Sequence, residues 1–206
     1  MIRRIIGAVA LGCCTGIFTG CATTTPPVSF LYSPSVEARG GSGTLFLKSV
    51  SGHSALSSAS NVRWVIGKQM DPDGSVTSEI LSTSSAEDML LDALKRELTA
   101  AGYRVELGSS MPSGVSKALN LASVQVEIDE TSEIPKVDAT GKIKVSMDVW
   151  KNGVKVKTLS YESNFSDIAI LDRDRLAGEM VEKGLHMVMN QAVPDIVSVL
   201  ERRSGE

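Results

Sequence analysis

Residues 142–156 read KIKVSMDVWKNGVKV and carry the clearest structural signal in the chain. Apolar residues alternate with polar ones up to Asn152 and Gly153, and the alternation then resumes. Asn-Gly between two alternating stretches is typical of a β-hairpin with a two-residue turn. Such a turn predicts four facing pairs: Lys151 with Val154, Trp150 with Lys155, Val149 with Val156, and Asp148 with Lys157.

Outward from this hairpin, the alternation of residues 122–129 predicts a strand with one solvated face. Four shorter runs are also predicted as strands: 45–50, 62–67, 76–81 and 103–107. Between the second and third of these runs, Asp71-Pro72-Asp73-Gly74 has the composition of a turn.

Two amphipathic helices complete the pattern. Ser84 and Glu87 stand three residues apart, as in a capping box, and predict a helix over 85–101 that ends at Gly102. A second helix is predicted from Asp172 or Asp174, and Pro194 is expected to kink or end it. The fold class is therefore predicted as α+β, a two-layer domain with a mostly antiparallel sheet of six or seven strands packed on one face by two amphipathic helices.

The N-terminus has the pattern of an export signal. Two basic residues stand within Met1–Arg4, and an uncharged apolar run follows over residues 5–19. This run is too short for a stable transmembrane helix, which needs about 20 apolar residues. Residues 1–20 are therefore predicted to be a signal peptide that is removed.

The end of this signal, Phe18-Thr19-Gly20-Cys21, resembles the lipobox of bacterial lipoproteins, although Phe18 stands where that pattern prefers Leu. The resemblance implies that Cys21 is the lipid-attachment residue, carrying acyl chains such as palmitate, and the first residue of the mature protein. Ala22 rather than Asp follows it, which in enterobacterial lipoproteins implies the outer membrane. Cleavage removes Cys13 and Cys14, so no cysteine is left for a disulfide or a metal site.

The mature chain divides into a tether and one domain. Residues 21–42 are rich in Thr, Pro, Ser and Gly and are predicted to be the acylated Cys and a flexible tether of roughly 25 Å. Within it, Phe30-Leu31-Tyr32 either docks on the domain or forms a first edge strand. Residues 43–206 are predicted to form a single periplasmic α+β domain.

Composition and side-chain chemistry exclude several functions. The 206 residues carry a net charge of −3, so a nucleic-acid partner is not expected. The only histidines are His53 and His186, and neither stands in a catalytic motif. Carboxylates on a solvated strand usually serve solubility: Glu127, Asp129, Glu130 and Glu133. Asp71 and Asp73 lack the other ligands of a calcium loop. No catalytic, metal or cofactor site is therefore predicted from these residues or from the histidines and carboxylates above.

The order of features resembles the YajG-like group of bacterial envelope lipoproteins. The residues that carry this resemblance are the lipobox, Tyr32-Ser33-Pro34, the helical stretch 86–98 with Ala100-Ala101-Gly102-Tyr103 after it, and the late hairpin. The resemblance implies an outer-membrane-anchored domain that faces the periplasm and has no assigned biochemistry.

Taken together, these features predict a non-enzymatic, lipid-anchored envelope lipoprotein that binds another envelope component, expected to be a protein, through an open sheet face or an edge strand. The alternative is an accessory lipoprotein of an ABC-type transport or lipid-trafficking system that carries an apolar ligand. An apolar cavity of about 300 Å³ or more between helices and sheet would favour the alternative. The oligomeric state is left open.

Overall fold

The computed structural model describes residues 27–29, 31–49, 62–170 and 173–202. The signal peptide, Cys21, Phe30 and His53 lie outside the described residues. The described residues form seven strands and two helices: β1 (Thr44–Lys48), β2 (Trp64–Met70), β3 (Val76–Ser82), α1 (Ala86–Ala100), β4 (Arg104–Gly108), β5 (Lys117–Ser132), β6 (Val137–Lys151), β7 (Val154–Ala169) and α2 (Arg173–Glu201).

All seven strands belong to one sheet, and β5 is its centre. Along one side, β5 pairs with β6, and β6 pairs with β7. Along the other side, β1 pairs with residues 118–120 of β5, whereas β2 pairs with residues 128–131. The sheet therefore forks along β5, with β4 beyond β1 and β3 beyond β2.

The α+β class with two helices is confirmed, but the prediction of a mostly antiparallel sheet is wrong. Strand β1 runs parallel to both β4 and β5, and β2 runs parallel to β5, so the sheet is mixed and curled. Helix α1 connects β3, on the β2 side of the fork, to β4, which pairs with β1 on the other side. The apolar pattern of a five-residue strand is the same for either direction.

The predicted hairpin is confirmed next to its turn, where Asn152 and Gly153 both have positive φ. The pairs beside the turn are as predicted, Lys151 with Val154 and Trp150 with Lys155. A bulge then shifts the register by one residue, so the next pairs are Val149 with Lys157 and Asp148 with Thr158. The ion pair of Asp148 is consequently made with Lys155, at 2.7 Å.

The structure corrects the predicted cap of α1 and narrows the prediction made for α2 at Pro194. The side chain that caps α1 is Ser85 rather than Ser84, and it accepts a hydrogen bond from the Asp88 amide at 3.0 Å. A kink or an end was predicted at Pro194, and the helix does not end there, because α2 continues through this proline to Glu201. On the inward side of the helix, three residues near the proline are completely buried, and this packing offsets the hydrogen bond that proline removes: Ala192, Val193 and Ile196.

The two helices cover one face of the sheet. On β6 the odd-numbered residues from Val137 to Val149 are buried, while the even-numbered ones keep contact with solvent. We call the face that the helices leave uncovered the open face.

Candidate functional site

An N-terminal strap, defined as residues 27–29 and 31–42, lies against the domain. Near its start, the Val28 amide donates to the Leu81 carbonyl at 2.7 Å, and the Val28 side chain lies beside Gly178 of α2. Near its end, the Gly41 amide donates to the Ala101 carbonyl at 3.0 Å. The boundary at residue 42 stays a prediction, but much of the segment assigned to the tether contacts the domain.

The middle of the strap is held by a buried carboxylate. Tyr32 and Glu97 are each only 1% exposed, and the Tyr32 hydroxyl donates to Glu97 Oε1 at 2.7 Å. The backbone amides of Ser35 and Val36 also donate to this carboxylate, at 2.8 and 3.2 Å. These donors offset the cost of burying a charge, and burial together with the Glu97 contact raises the pKa of Tyr32.

His186 contributes to the same attachment. Its Nε2 lies 2.9 Å from the Ser33 carbonyl oxygen, and its ring meets the Tyr32 ring edge-on, with 4.8 Å between centroids. Both of these contacts are with the strap, so the position of His186 is explained by packing.

A second polar cluster ties the end of the strap to the end of α2. Lys117 Nζ lies 2.6 Å from Glu201 Oε1 and also donates to the Ser42 carbonyl at 2.8 Å. Burial is the largest single influence on the pKa of Glu201 and by itself raises it, but the hydrogen bond and charge of Lys117 together with the other hydrogen bonds to this carboxylate outweigh burial, so this pKa lies below its usual value. Lys117 also lies 5.4 Å from the centroid of the Tyr103 ring. The start of the strap is therefore attached to β3 and lies beside α2, and its end is attached to the residue after α1, to Lys117 of β5 and to the end of α2.

Two adjoining grooves lie on the open face, with volumes of about 500 and about 400 Å³. Glu127 and Asp129, which point out of β5, line both grooves. The first groove extends across β6 and β7, where its polar lining residues are Thr140, Lys142, Asn164 and Ser166. The second extends towards β2 and β3, where its lining includes Lys68, Val76 and Glu79. The forked sheet thus brings four separate strands to the two sides of β5.

Asp129 has an unsatisfied oxygen at the place where the grooves meet. Its Oδ2 lies 3.7 Å from Lys68 Nζ, whereas its Oδ1 is buried without a hydrogen-bond partner among the described residues. A buried acceptor without a donor costs free energy, so a donor from a bound molecule would be favourable here. On the far side of the first groove, Lys142 lies 2.8 Å from Glu162 and lowers the pKa of that carboxyl.

The four carboxylates noted in the sequence do not converge on one point. Glu127 and Asp129 lie at the grooves, whereas Glu130 is buried and accepts a hydrogen bond from Gln69 at 3.0 Å. Glu133 lies 3.4 Å from Lys136 near the β5–β6 turn. Within the described ranges, no group of three or more His, Cys, Asp or Glu residues could hold a metal ion.

The predicted turn between β2 and β3 is confirmed. The Gly74 amide donates to the Asp71 carbonyl at 2.9 Å, and Asp73 Oδ1 accepts from the Ser75 amide at 2.9 Å. These bonds from Ser75 lower the pKa of Asp73. The two aspartates thus shape the turn.

Two features escaped the sequence analysis. Glu97 was assigned no role from the sequence, although it lies seven residues after the buried Leu90, a spacing that returns to the same helix face. The grooves depend on pairing between strands that are distant in sequence, for which no local signal exists.

None of the helices in the described part of the chain is both long and apolar enough to cross a membrane.

Comparison with known proteins gives likenesses of fold only. No family model and no curated protein matches the sequence. Among similar solved structures, a minor lipoprotein from Acinetobacter baumannii is 13% identical, with 61% of this chain and 87% of that chain covered and a TM-score of 0.37. Rare lipoprotein B from Shewanella oneidensis is 11% identical, with 65% and 97% covered and a TM-score of 0.36. A DUF330 protein from Xanthomonas campestris is 12% identical, with 81% and 94% covered and a TM-score of 0.41. At these TM-scores the likeness does not place the chain in a family.

Proposed function

We propose that this chain is a lipid-anchored envelope lipoprotein whose periplasmic domain binds another envelope protein on its open face. The observation that carries the proposal is the pair of grooves that meet at Asp129, where a buried carboxylate oxygen lacks a donor among the described residues. The lipobox at Cys21 supports the anchor, and the YajG-like order of features supports an outer-membrane location.

The strap supports an orientation in which the open face points away from the membrane. Only residues 22–26 stand between Cys21 and Pro27, and fully extended this connection spans at most about 20 Å. Because the strap lies against the helices, acyl chains on Cys21 would hold the helical side of the domain near the bilayer. The open face would then be free to meet a partner.

The lining of the grooves favours a protein over an apolar ligand. Both described grooves lie on the open face rather than between helices and sheet, and both are lined by carboxylates and lysine. An apolar ligand would leave these polar groups without partners. A protein surface can supply donors for Glu127 and Asp129.

Replacing Cys21 by serine tests the anchor. We expect the Cys21→Ser chain, expressed in full length in a Gram-negative host, to incorporate no labelled palmitate and to leave the membrane fraction, because serine has no thiol to acylate. The Cys14→Ser chain, which lacks a cysteine of the signal peptide, serves as the matched control and should stay membrane-bound. A Cys21→Ser chain that remains membrane-bound and is processed to the same mass would contradict the anchor.

Photo-crosslinking in intact cells tests the binding surface. A benzophenone amino acid is placed at Thr140 in the first groove or, as a control, at the exposed Glu179 on the helical side. We expect Thr140 alone to give an adduct with an envelope protein, and Asp129→Lys to abolish that adduct while Asp92→Lys on α1 leaves it. Equal adducts from Thr140 and Glu179, or none from Thr140, would refute the proposal.

A further inference from the structure

Strand β7 forms a long free edge of the sheet. It spans 16 residues and pairs only with β6 among the described strands. The edge of a strand presents backbone N–H and C=O groups that another strand can pair with. Such an edge is therefore complementary to one kind of ligand, an extended polypeptide.

Two side-chain contacts show which residues direct their backbone groups outwards. Lys183 donates to the Ser166 carbonyl at 2.8 Å, and Asp167 Oδ1 accepts from the Ile168 amide at 2.9 Å. In an antiparallel strand, successive residues direct these groups to alternate edges. The even-numbered residues of β7 beyond the bulge therefore face away from β6.

The chain itself protects only one end of this edge. The contacts of Lys183 and Asp167 occupy the edge at Ser166 and Ile168. Between Thr158 and Asn164, the described contacts include no partner for the outward backbone groups. This open part of the edge presents four outward residues: Thr158, Ser160, Glu162 and Asn164.

The charge beside the open edge favours an acidic segment. Residues 142–162 contain five lysines and only two carboxylates, in a chain whose net charge is −3. Lys142 and Lys144 share Glu162, at 2.8 and 3.5 Å, so two ammonium groups meet one carboxylate at the edge. A second copy of this chain would place the same lysines opposite Lys142 and Lys144, whereas an acidic segment would neutralise the excess positive charge.

We propose that the β7 edge from Thr158 to Asn164 binds an extended acidic segment of the partner protein as an eighth strand. This inference rests on the proposed function and specifies the form of the partner. Asn164 and Ser166 also line the first groove, so side chains of the added strand would continue the open face beside that groove. Lys183 and Asp167 would limit the added strand at Ser166.

The experiment uses the full acylated chain in detergent with two nine-residue peptides, one alternating valine with glutamate and the other alternating valine with lysine. We expect the acidic peptide to slow hydrogen exchange at the amides of Ser160, Glu162 and Asn164 and to bind about tenfold tighter or more. Ser160→Pro removes one outward N–H without breaking the ladder to β6, so binding should fall about tenfold or more. Ser160→Ala keeps this N–H and should bind as the parent chain does.

Three results would overturn the inference: equal binding by Ser160→Pro and Ser160→Ala, equal binding of the two peptides, or unchanged exchange at the three amides. If the proline variant fails to fold, an acidic peptide N-methylated at alternate residues must bind at least about tenfold more weakly to the parent chain. A concentration-dependent dimer that protects the same amides would overturn the choice of occupant. If the acidic peptide does not bind but the Thr140 adduct still forms, strand addition at the β7 edge is wrong and the proposed binding on the open face stands.

Discussion

Glu97→Ala is expected to lower the free energy of unfolding by about 3 kcal/mol, because it removes the common acceptor of three buried or partly buried donors. The Tyr32 hydroxyl and the amides of Ser35 and Val36 would remain in place with no hydrogen-bond partner at this site. Urea denaturation measures the change, and limited proteolysis should show cleavage within the strap before cleavage in the sheet.

Tyr32→Phe is the matched control, because it removes one of these hydrogen bonds and keeps the ring that contacts His186. We expect it to cost about 1.5 kcal/mol, roughly half of the effect of Glu97→Ala. A Glu97→Ala loss below about 1 kcal/mol, or no larger than that of Tyr32→Phe, would show that the carboxylate does not hold the strap.

Gly67→Ala is expected to lower the free energy of unfolding by roughly 3 kcal/mol, because no side chain fits between β2 and β5. A Cβ atom at Gly67 would stand 1.7 Å from the Ile128 carbonyl oxygen, which belongs to the backbone and cannot rotate away. Strand β2 would have to move from β5, taking β3 and the second groove with it. Scanning calorimetry measures the stability, and hydrogen exchange should quicken first in β2 and β3.

Val65→Ala provides the comparison on the same strand. Val65 is 58% exposed, so its truncation should change the stability by less than about 0.5 kcal/mol. If Gly67→Ala were as stable as Val65→Ala, the close approach of β2 to β5 would be wrong.

The features that the sequence predicts well are those decided by neighbouring residues. The hairpin follows from Asn152 and Gly153, whose positive φ angles are a local property. Helix α1 follows from a serine near its start and from buried leucines at helical spacing, Leu90, Leu94 and Leu98. Even here the bulge that changes the partner of Val149 from Val156 to Lys157 was not predicted, because the alternating pattern alone does not reveal an extra residue.

Features that join distant parts of the chain were not predictable in this way. The parallel pairing of β1 with β4 joins residues 60 positions apart, and a short apolar run carries no record of its direction. Tyr32 and Glu97 are separated by 65 residues, so a strap rich in Ser and Pro resembles a free tether until its partner is known. Glu127 and Asp129 were correctly placed on the solvated face of β5, whereas the prediction of a solvated Glu130 is wrong because this residue is buried. The grooves that Glu127 and Asp129 line arise from four other strands.

The docked strap also determines how far the domain can travel from its anchorage. Undocking would release the sixteen positions from Pro27 to Ser42, which add roughly 55 Å when fully extended. With Cys21 acylated as proposed, the domain would then be connected to its bilayer by a much longer segment and could reach farther across the periplasm. The hydrogen bonds to one carboxylate, that of Glu97, would therefore decide whether the domain stays close to the bilayer or extends farther from it.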